Sequence, residues 1–561
     1  MVEFHVSPTG DDAAPGTADR PFATLDRARA AARDAGGDVT VQLRAGTHVL
    51  TEPFELTEED SRVVYQAFGY GTDAQEEVVV SGGRELTGQR GPDGVWLAEV
   101  DGLLTRHLVV DGRRVERAGI DGLPGTVRRT DTGYVTDAPL DWHSPAGVEF
   151  VHRGVYPWTE ARTAVASATP DGEITMAQPA FAWAREVYNS EWGGHTSTGL
   201  PEPTRVENDP AFLTPGTFAL DRARHVLHYL PRPDEDEPHV VAPVLEVLVR
   251  ATGVRDVAFR GLTFADTTWL RPTDDRGFLH YHANGFHDGG AIGRVDVAEG
   301  AWLTVPEEAA QIPAAVQLHG TTGVRFEGCR FTRLGATGLG ATGGDDLVVR
   351  GCDFDTLAAS AIAVTGTRKA LVEDNLVGHV GLDHSGSAGI TFLHTEDGVI
   401  AHNHVHDVPH NGIVAGPSRG GTRITDNLVT RAMGVLADGG GVYLSGPQGD
   451  RPDRGAVIGG NVIEDTRTPY NFGLYTDYGA TWVTVEGNLV ARADNTAVLH
   501  VSPPLEHVTY RGNLFDADPV GSDAVPDGVT YEGNTTIADP AELDAAAADL
   551  RARAGLLTRR A

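Results

Sequence analysis

The sequence predicts an all-β chain wound as a right-handed parallel β-helix of about ten or more coils, and three features carry that expectation. The first is a phrase that returns along the chain: Val257-Ala258-Phe259-Arg260-Gly261-Leu262, Val324-Arg325-Phe326-Glu327-Gly328-Cys329 and Leu347-Val348-Val349-Arg350-Gly351-Cys352. It continues through Asp374-Asn375, His402-Asn403, Asp426-Asn427, Gly460-Asn461, Gly487-Asn488, Gly512-Asn513 and Gly533-Asn534. Its last residue falls at 262, 329, 352, 375, 403, 427, 461, 488, 513 and 534, so most intervals run from 21 to 28 residues, with one of 34 and one of 67. A three-sided coil needs an interval of that size, because each turn holds three short strands and their bends. The second feature is that seven of those ten positions are Asn. Stacked asparagines can hydrogen-bond along the axis and satisfy backbone groups at each bend. The third is 69 Gly and 32 Pro spread along 561 residues, which favours short strands and tight turns over long helices.

Taken in order, residues 1–83 read as an N-terminal cap and the first coils. Val2–Val6 is a strand, and Pro21-Phe22-Ala23-Thr24-Leu25 leads into an amphipathic helix to Arg33 with Thr24 as its N-cap. Such a helix would plug the open end of the solenoid. Coil strands are expected at Val39–Leu43, Gly46–Leu50, Val63–Gln66 and Val78–Val80. The period is lost over residues 84–246, where hairpin signals and apolar alternation such as His107-Leu108-Val109-Val110-Asp111-Gly112 indicate an inserted β-rich subdomain. The main β-helix occupies 247–539. The 67-residue interval holds a second excursion at 269–312, with Trp269, His280, His282, His287 and Trp302, expected to wall a groove. Residues 540–561 read as a helical tail.

Composition narrows the function. A balance of 45 basic against 79 acidic residues gives a net charge of −34, which repels polyphosphate and anionic lipid, so neither nucleic acid nor a membrane is expected as a partner. Lys369 is the single lysine. No stretch of about 18 apolar residues occurs, and no charged segment followed by an apolar run opens the chain. It therefore reads as cytoplasmic, with a secreted form whose leader has been removed as the alternative. Cys329 and Cys352 fall in the asparagine column on adjacent coils and read as small buried residues rather than as a disulfide or metal pair.

A second column follows each bend: Gly338-Leu339, Ala361-Ile362, Gly389-Ile390, Gly412-Ile413, Gly441-Val442, Gly473-Leu474 and Ala497-Val498. With the apolar member inward, alternation places Ala363, Thr391, Val414, Tyr443, Tyr475 and Leu499 outside, and then Thr365, Leu393, Gly416, Ser445, Asp477 and Val501. Tyr443, Tyr475 and Asp477 thus fall on neighbouring coils as an outward aromatic platform with a carboxylate, a surface suited to sugar. Asp383-His384 and His410-Asn411 precede the strands of the two preceding coils and are expected to line the same groove, with Trp269 on its wall. His402, His404 and His406 alternate along one strand but lack a clear carboxylate or further ligand, so neither metal nor cofactor is expected.

The opening His5-Val6-Ser7-Pro8-Thr9-Gly10 with Asp19-Arg20-Pro21-Phe22-Ala23-Thr24-Leu25, the phrases Val109-Val110-Asp111-Gly112-Arg113-Arg114 and Tyr229-Leu230-Pro231-Arg232-Pro233, and Asp438-Gly439-Gly440-Gly441-Val442-Tyr443 with Tyr475-Thr476-Asp477-Tyr478-Gly479 resemble glycoside hydrolase family 141 and related pectate-lyase-like β-helix proteins. The resemblance implies a fucosidase- or xylosidase/xylanase-like hydrolase of a neutral glycoside, with Asp438 and Asp477 as its catalytic carboxylates. Glycoside hydrolysis needs such a pair flanking the bond. Register offers one objection: Asp438 precedes its strand by three residues while Asp477 lies four residues into its own. Glycines 439 to 441 are expected to fold the chain back through dihedrals closed to other residues. Two other classes remain open, a polysaccharide lyase acting on a uronate-containing glycan and a non-catalytic glycan-binding β-helix.

Overall fold

The computed structural model describes residues 2–192, 195–274 and 276–557; residue 1 of the expected cap and residues 558–561 of the expected tail lie outside them. The chain is a right-handed parallel β-helix. One coil runs through Ile362–Thr365, Leu371–Glu373 and Leu376–Gly378, and the next through Ile390–Leu393, Val399–Ala401 and His404–His406, each strand pairing in parallel with its successor. Alternation sends one residue in two inward, so identical side chains meet on successive coils. Phe259 stacks between Tyr65 and Phe326, and Phe331 between Phe264 and Phe354, with ring centroids 4.4–5.5 Å apart.

The asparagine column is a continuous ladder. Each amide from Asn375 through Asn403, Asn427, Asn461, Asn488 and Asn513 to Asn534 donates to the carbonyl of the next at 2.8–2.9 Å. Cys352 meets the ladder's start, its backbone N–H donating to Asn375 Oδ1. Both cysteines are buried, and their thiols donate to backbone carbonyls of the preceding coil, Cys329 to Phe259 O at 3.3 Å and Cys352 to Phe326 O at 3.5 Å.

The N-terminal helix spans Leu25–Ala35, with Thr24 accepting from Arg27 N–H and with Leu25, Ala28, Ala31 and Ala32 turned into the core. At the other end, Pro540–Ala546 and Ala548–Arg553 do not cover the last coil. Leu543, Ala547 and Leu550 pack on Val462, Leu489 and Ala491, on the outside of the helix, and the chain runs back until Leu557 N–H reaches Asp374.

The β-helix is uninterrupted in space where the sequence period fails. Phe54–Leu56, Val63–Ala67 and Val78–Ser81 pair directly with Val249–Thr252, Ala258–Arg260 and Thr263–Ala265. The intervening residues form sheets that are antiparallel except where Arg113–Arg117 pairs in parallel with Thr217–Asp221, and the two excursions in the sequence are one body in the fold. Phe278–His282, from the later excursion, pairs with Glu160–Arg162 of the earlier one, and Ala301–Pro306 pairs with Asn189–Trp192. This body is fastened to the β-helix at Asp383, which is paired with His107 at 2.7 Å and with Arg114. Arg162 donates to Asp383 O at 2.6 Å and Ser385 Oγ to Glu160 at 2.6 Å.

One register expectation is corrected. In the coil after Asp477, Leu474 pairs with Ala497 and Tyr475 with Val498, so Val498, not Leu499, continues the outward column; Leu499 is buried in the core.

Candidate active site

Strand Gly440–Pro447 and the long strand Phe472–Glu486 lie side by side in parallel, with Tyr443 opposite Tyr475 and Ser445 opposite Asp477. Asp438 and Asp477, offset in register, are each reached by a tyrosine from the other's strand. Tyr475 donates its hydroxyl back to Asp438 Oδ1 at 2.8 Å, and Tyr443 donates forward to Asp477 Oδ2 at 2.9 Å. The ring centroids of the two tyrosines are 5.1 Å apart. Two carboxylates from different positions along their strands are thereby joined through one aromatic pair.

The fold-back at Asp438 has a different cause from the one expected. Asp438 itself takes the left-handed conformation, at φ 56°, and Gly439, Gly440 and Gly441 do not. The glycines are needed for space. A Cβ on Gly439 would stand 2.7 Å from both Asn411 Oδ1 and His410 Nε2, and one on Gly441 only 2.3 Å from Ile463. The Asp438 backbone is held on three sides: its own N–H donates to Tyr470 O, the preceding Ala437 N–H donates to Pro157 O, and Gly440 N–H donates to Asn411 Oδ1 at 2.7 Å.

The two carboxyls differ electrostatically. Burial, against the relief of the Tyr475 hydroxyl and reinforced by the Asp477 charge, pushes Asp438 up to about 7. Burial also raises Asp477, but this carboxylate accepts from both Tyr443 and the Tyr478 N–H, each of which favours its charged form. A protonated acid beside a more strongly hydrogen-bonded carboxylate is the division of roles that general acid catalysis requires.

The remaining expected site residues fall differently. Tyr443 and Tyr475 are only 8% and 7% exposed, packed with Phe472, Val414 and Ala283, so they present hydroxyls rather than an open aromatic platform. Asp383 is occupied by His107 and Arg114 and acts as the insertion's anchor. His384 is buried against Trp269 and Phe278, and Trp269 sits in an apolar cluster with Phe278, Phe286 and Ile312; neither ring offers a face to a ligand. His410 is fully buried, its Nε2 donating to Ala437 O at 3.1 Å, one residue before Asp438. On the other flank of the helix, His379, His406 and Asp407 bring one ligand atom each within 4.8 Å of one another, but Asp407 is held by Nε and Nη2 of Arg431 at 2.8 and 2.6 Å.

Exposed aromatic surface near the carboxylates comes from residues that the repeat does not single out. Tyr470, whose carbonyl holds Asp438 N–H, is 45% exposed, and Tyr478, next to Asp477, is 55% exposed. From the insertion come Trp158, beside the carbonyl that holds Ala437, and Trp192 and Tyr281, with ring centroids 6.1 and 6.0 Å from Trp158. His282 lies 4.6 Å from the Tyr443 ring and 5.1 Å from His410. The aperiodic character of the insertion gave no column from which to place these residues. Only their density of aromatic and histidine side chains was a signal.

This geometry defines a right-handed parallel β-helix that carries a buried and a half-buried carboxyl joined through two tyrosines. The family described as "Right handed beta helix region" matches residues 312–449. A solved chain titled "Glycoside hydrolase" is similar over 99% of both chains, with 23% identity and a TM-score of 0.74. Another, titled "The complex structure of XylC with xylose", shares 14% identity over 91% of this chain and 75% of its own, with a TM-score of 0.50. No curated protein matches the sequence.

Proposed function

We propose that this protein is a glycoside hydrolase acting on a neutral glycoside or oligosaccharide, of the fucosidase- or xylosidase/xylanase-like kind, with Asp438 as general acid and Asp477 as nucleophile or base. The observation that carries this reading is the crossed arrangement in which Tyr475 serves Asp438 and Tyr443 serves Asp477. Asp438, pushed to about 7, keeps its proton near neutral pH and can deliver it to a leaving oxygen. Asp477, with two donors, is the better anion to meet the anomeric carbon or its water. Tyr470, Tyr478, Trp158 and Trp192 supply faces for sugar C–H groups. The titles of the two similar structures agree in kind with this reading.

A lyase would need a cationic group to meet a uronate carboxylate and a base beside it. Burial, the tyrosine hydroxyls, the Tyr478 N–H and the Asp477 charge are the leading causes of the shifts of Asp438 and Asp477, with no arginine or lysine among them, which disfavours that class. The test is hydrolysis of 4-nitrophenyl glycosides, α-L-fucoside and β-D-xyloside first, by the wild type and by Asp438→Asn and Asp477→Asn. Loss of about 10²-fold or more in each variant is expected, and a double variant that hydrolyses as the wild type does would refute the assignment.

A further inference from the structure

Asn411 is fully buried, and its amide orientation is fixed by a backbone group. Gly440 N–H can only donate, so the atom it meets at 2.7 Å is the amide oxygen, and the NH2 faces the other way. That NH2 lies 3.0 Å from His410 Nδ1 and 3.1 Å from His282 Nε2. Having no lone pair to offer, it forces both ring nitrogens to accept. His410 is consistent with this, because its other nitrogen donates to Ala437 O. His282 must then be neutral with its hydrogen on Nδ1. Burial, with the neighbouring His410 and His280, holds its pKa well below the ordinary value and agrees with the neutral form.

His282 is half-buried, and its Nδ1 has no protein partner among the described residues and is not sealed from solvent. Its ring lies 4.6 Å from that of Tyr443, whose hydroxyl holds Asp477. An oriented, uncharged N–H donor is therefore carried on a ring packed against Tyr443, the tyrosine that holds Asp477. Its complement is a neutral oxygen acceptor.

We propose that His282, set in one tautomer by Asn411, donates its Nδ1 hydrogen to a hydroxyl group of the sugar held between Asp438 and Asp477, an inference that rests on the glycosidase reading above. Asn411 is then a positioning residue with two tasks, fixing the His282 donor and holding the Gly440 flank of Asp438.

The first measurement needs no turnover. Long-range ¹H–¹⁵N correlation spectra of the histidine-labelled protein at neutral pH should show His282 as the Nδ1–H tautomer and His410 as the Nε2–H tautomer. Asn411→Asp keeps an acceptor for Gly440 but replaces the NH2 by an oxygen, so His282 should change to Nε2–H. An imidazolium or an Nε2–H ring in the wild type overturns the proposal.

The second measurement is kinetic. His282→Phe keeps the ring against Tyr443 and removes the donor. It should lower kcat/KM about 10- to 100-fold on 4-nitrophenyl β-D-xylopyranoside or α-L-fucopyranoside. The loss should vanish on the one monodeoxy analogue that lacks the contacted hydroxyl. Undiminished kcat/KM, or an equal loss on every deoxy analogue, overturns the assignment. If the wild type is active and only these results fail, the His282 role alone falls. If Asp438→Asn with Asp477→Asn stays active, the placing of the sugar between these carboxyls falls and takes this role with it, and a wild type inactive on every glycoside removes the glycosidase reading itself.

Discussion

Tyr475 donates to Asp438 across 37 positions of sequence, at 2.8 Å, while the residue opposite it in register, Tyr443, donates to Asp477. Each hydroxyl favours the charged form of the carboxylate it touches, and the Asp477 charge opposes the ionisation of Asp438. The pair therefore titrates as a coupled unit whose two limbs can be moved separately.

The pH dependence of kcat/KM should be bell-shaped, falling on the alkaline side with a midpoint near 7 as Asp438 loses its proton. Its acid limb should lie above the ordinary carboxylate range as Asp477 is protonated. Tyr475→Phe removes the group that lowers the Asp438 pKa and should move the alkaline limb upward. Tyr443→Phe does the same for Asp477 and should move the acid limb upward, narrowing the bell. Rate profiles of the two variants would check this, and a shift of the same limb in both would count against the crossed assignment.

Asp438 should also be a stability liability at high pH. Its folded pKa, about 7, exceeds the unfolded value of about 3.9, so the folded state holds the proton more tightly. That contribution is fully present below the unfolded pKa and is lost as pH rises through 7. A shift of about three units corresponds to about 4 kcal/mol at most. Asp438→Asn, which can still accept from Tyr475, should melt several degrees above the wild type at pH 8, with the gap closing at pH 4. Thermal unfolding across that range is the measurement.

The β-helix was legible because its physics is local and repeated: each coil needs a bend, and the bend needs an amide, so Asn375 to Asn534 mark the register almost residue by residue. The same register placed Tyr443, Tyr475 and Asp477 on one outward face. It could not say that these tyrosines would be covered, since the cover comes from Ala283 and its neighbours in a segment with no period. Asp383 was legible as a charged residue at a groove, but its partners His107 and Arg114 lie more than 260 positions away and nothing local announces them. His384 and Trp269 were misplaced for the same reason. The reach of Tyr475 to Asp438 was likewise hidden, because strand register fixes Cα positions and not where a long side chain ends.

If Asp383 fastens the insertion, its removal should loosen that body and leave the β-helix standing. Asp383→Ala strands Arg114 and His107 at a largely buried interface, at a cost of about 3–5 kcal/mol for a broken buried pair. Hydrogen exchange should rise in strands Leu108–Val110, Arg113–Arg117 and Glu160–Ala168 while Ile390–Leu393 stays protected. Uniform loss of protection would mean that the two parts unfold as one unit.

The ladder should show a gradient of sensitivity from middle to end. Asn427 is fully buried; its amide donates to Ile400 O, Thr425 O and Asn461 Oδ1, and its carbonyl accepts from the Asn403 backbone and amide. Asn461 Oδ1 keeps the Asn427 backbone N–H, the Asn403 amide keeps Val372 O and Ala401 O, and Thr425 O keeps His402 N–H, so Asn427→Ala chiefly strands the Asn403 backbone N–H and removes the side-chain bond to Ile400 O; at about 1–3 kcal/mol for each buried orphan the total should be roughly 2–6 kcal/mol. Asn534, the last rung, accepts from Asn513 and donates to Tyr510 O but is partly exposed, so water can replace much of what Asn534→Ala removes. That change should cost about 1 kcal/mol. Denaturant midpoints for the two variants, read with unchanged slopes, would measure the difference. Equal costs at the two positions would mean that the amides act by local bend geometry alone and not as a buried network.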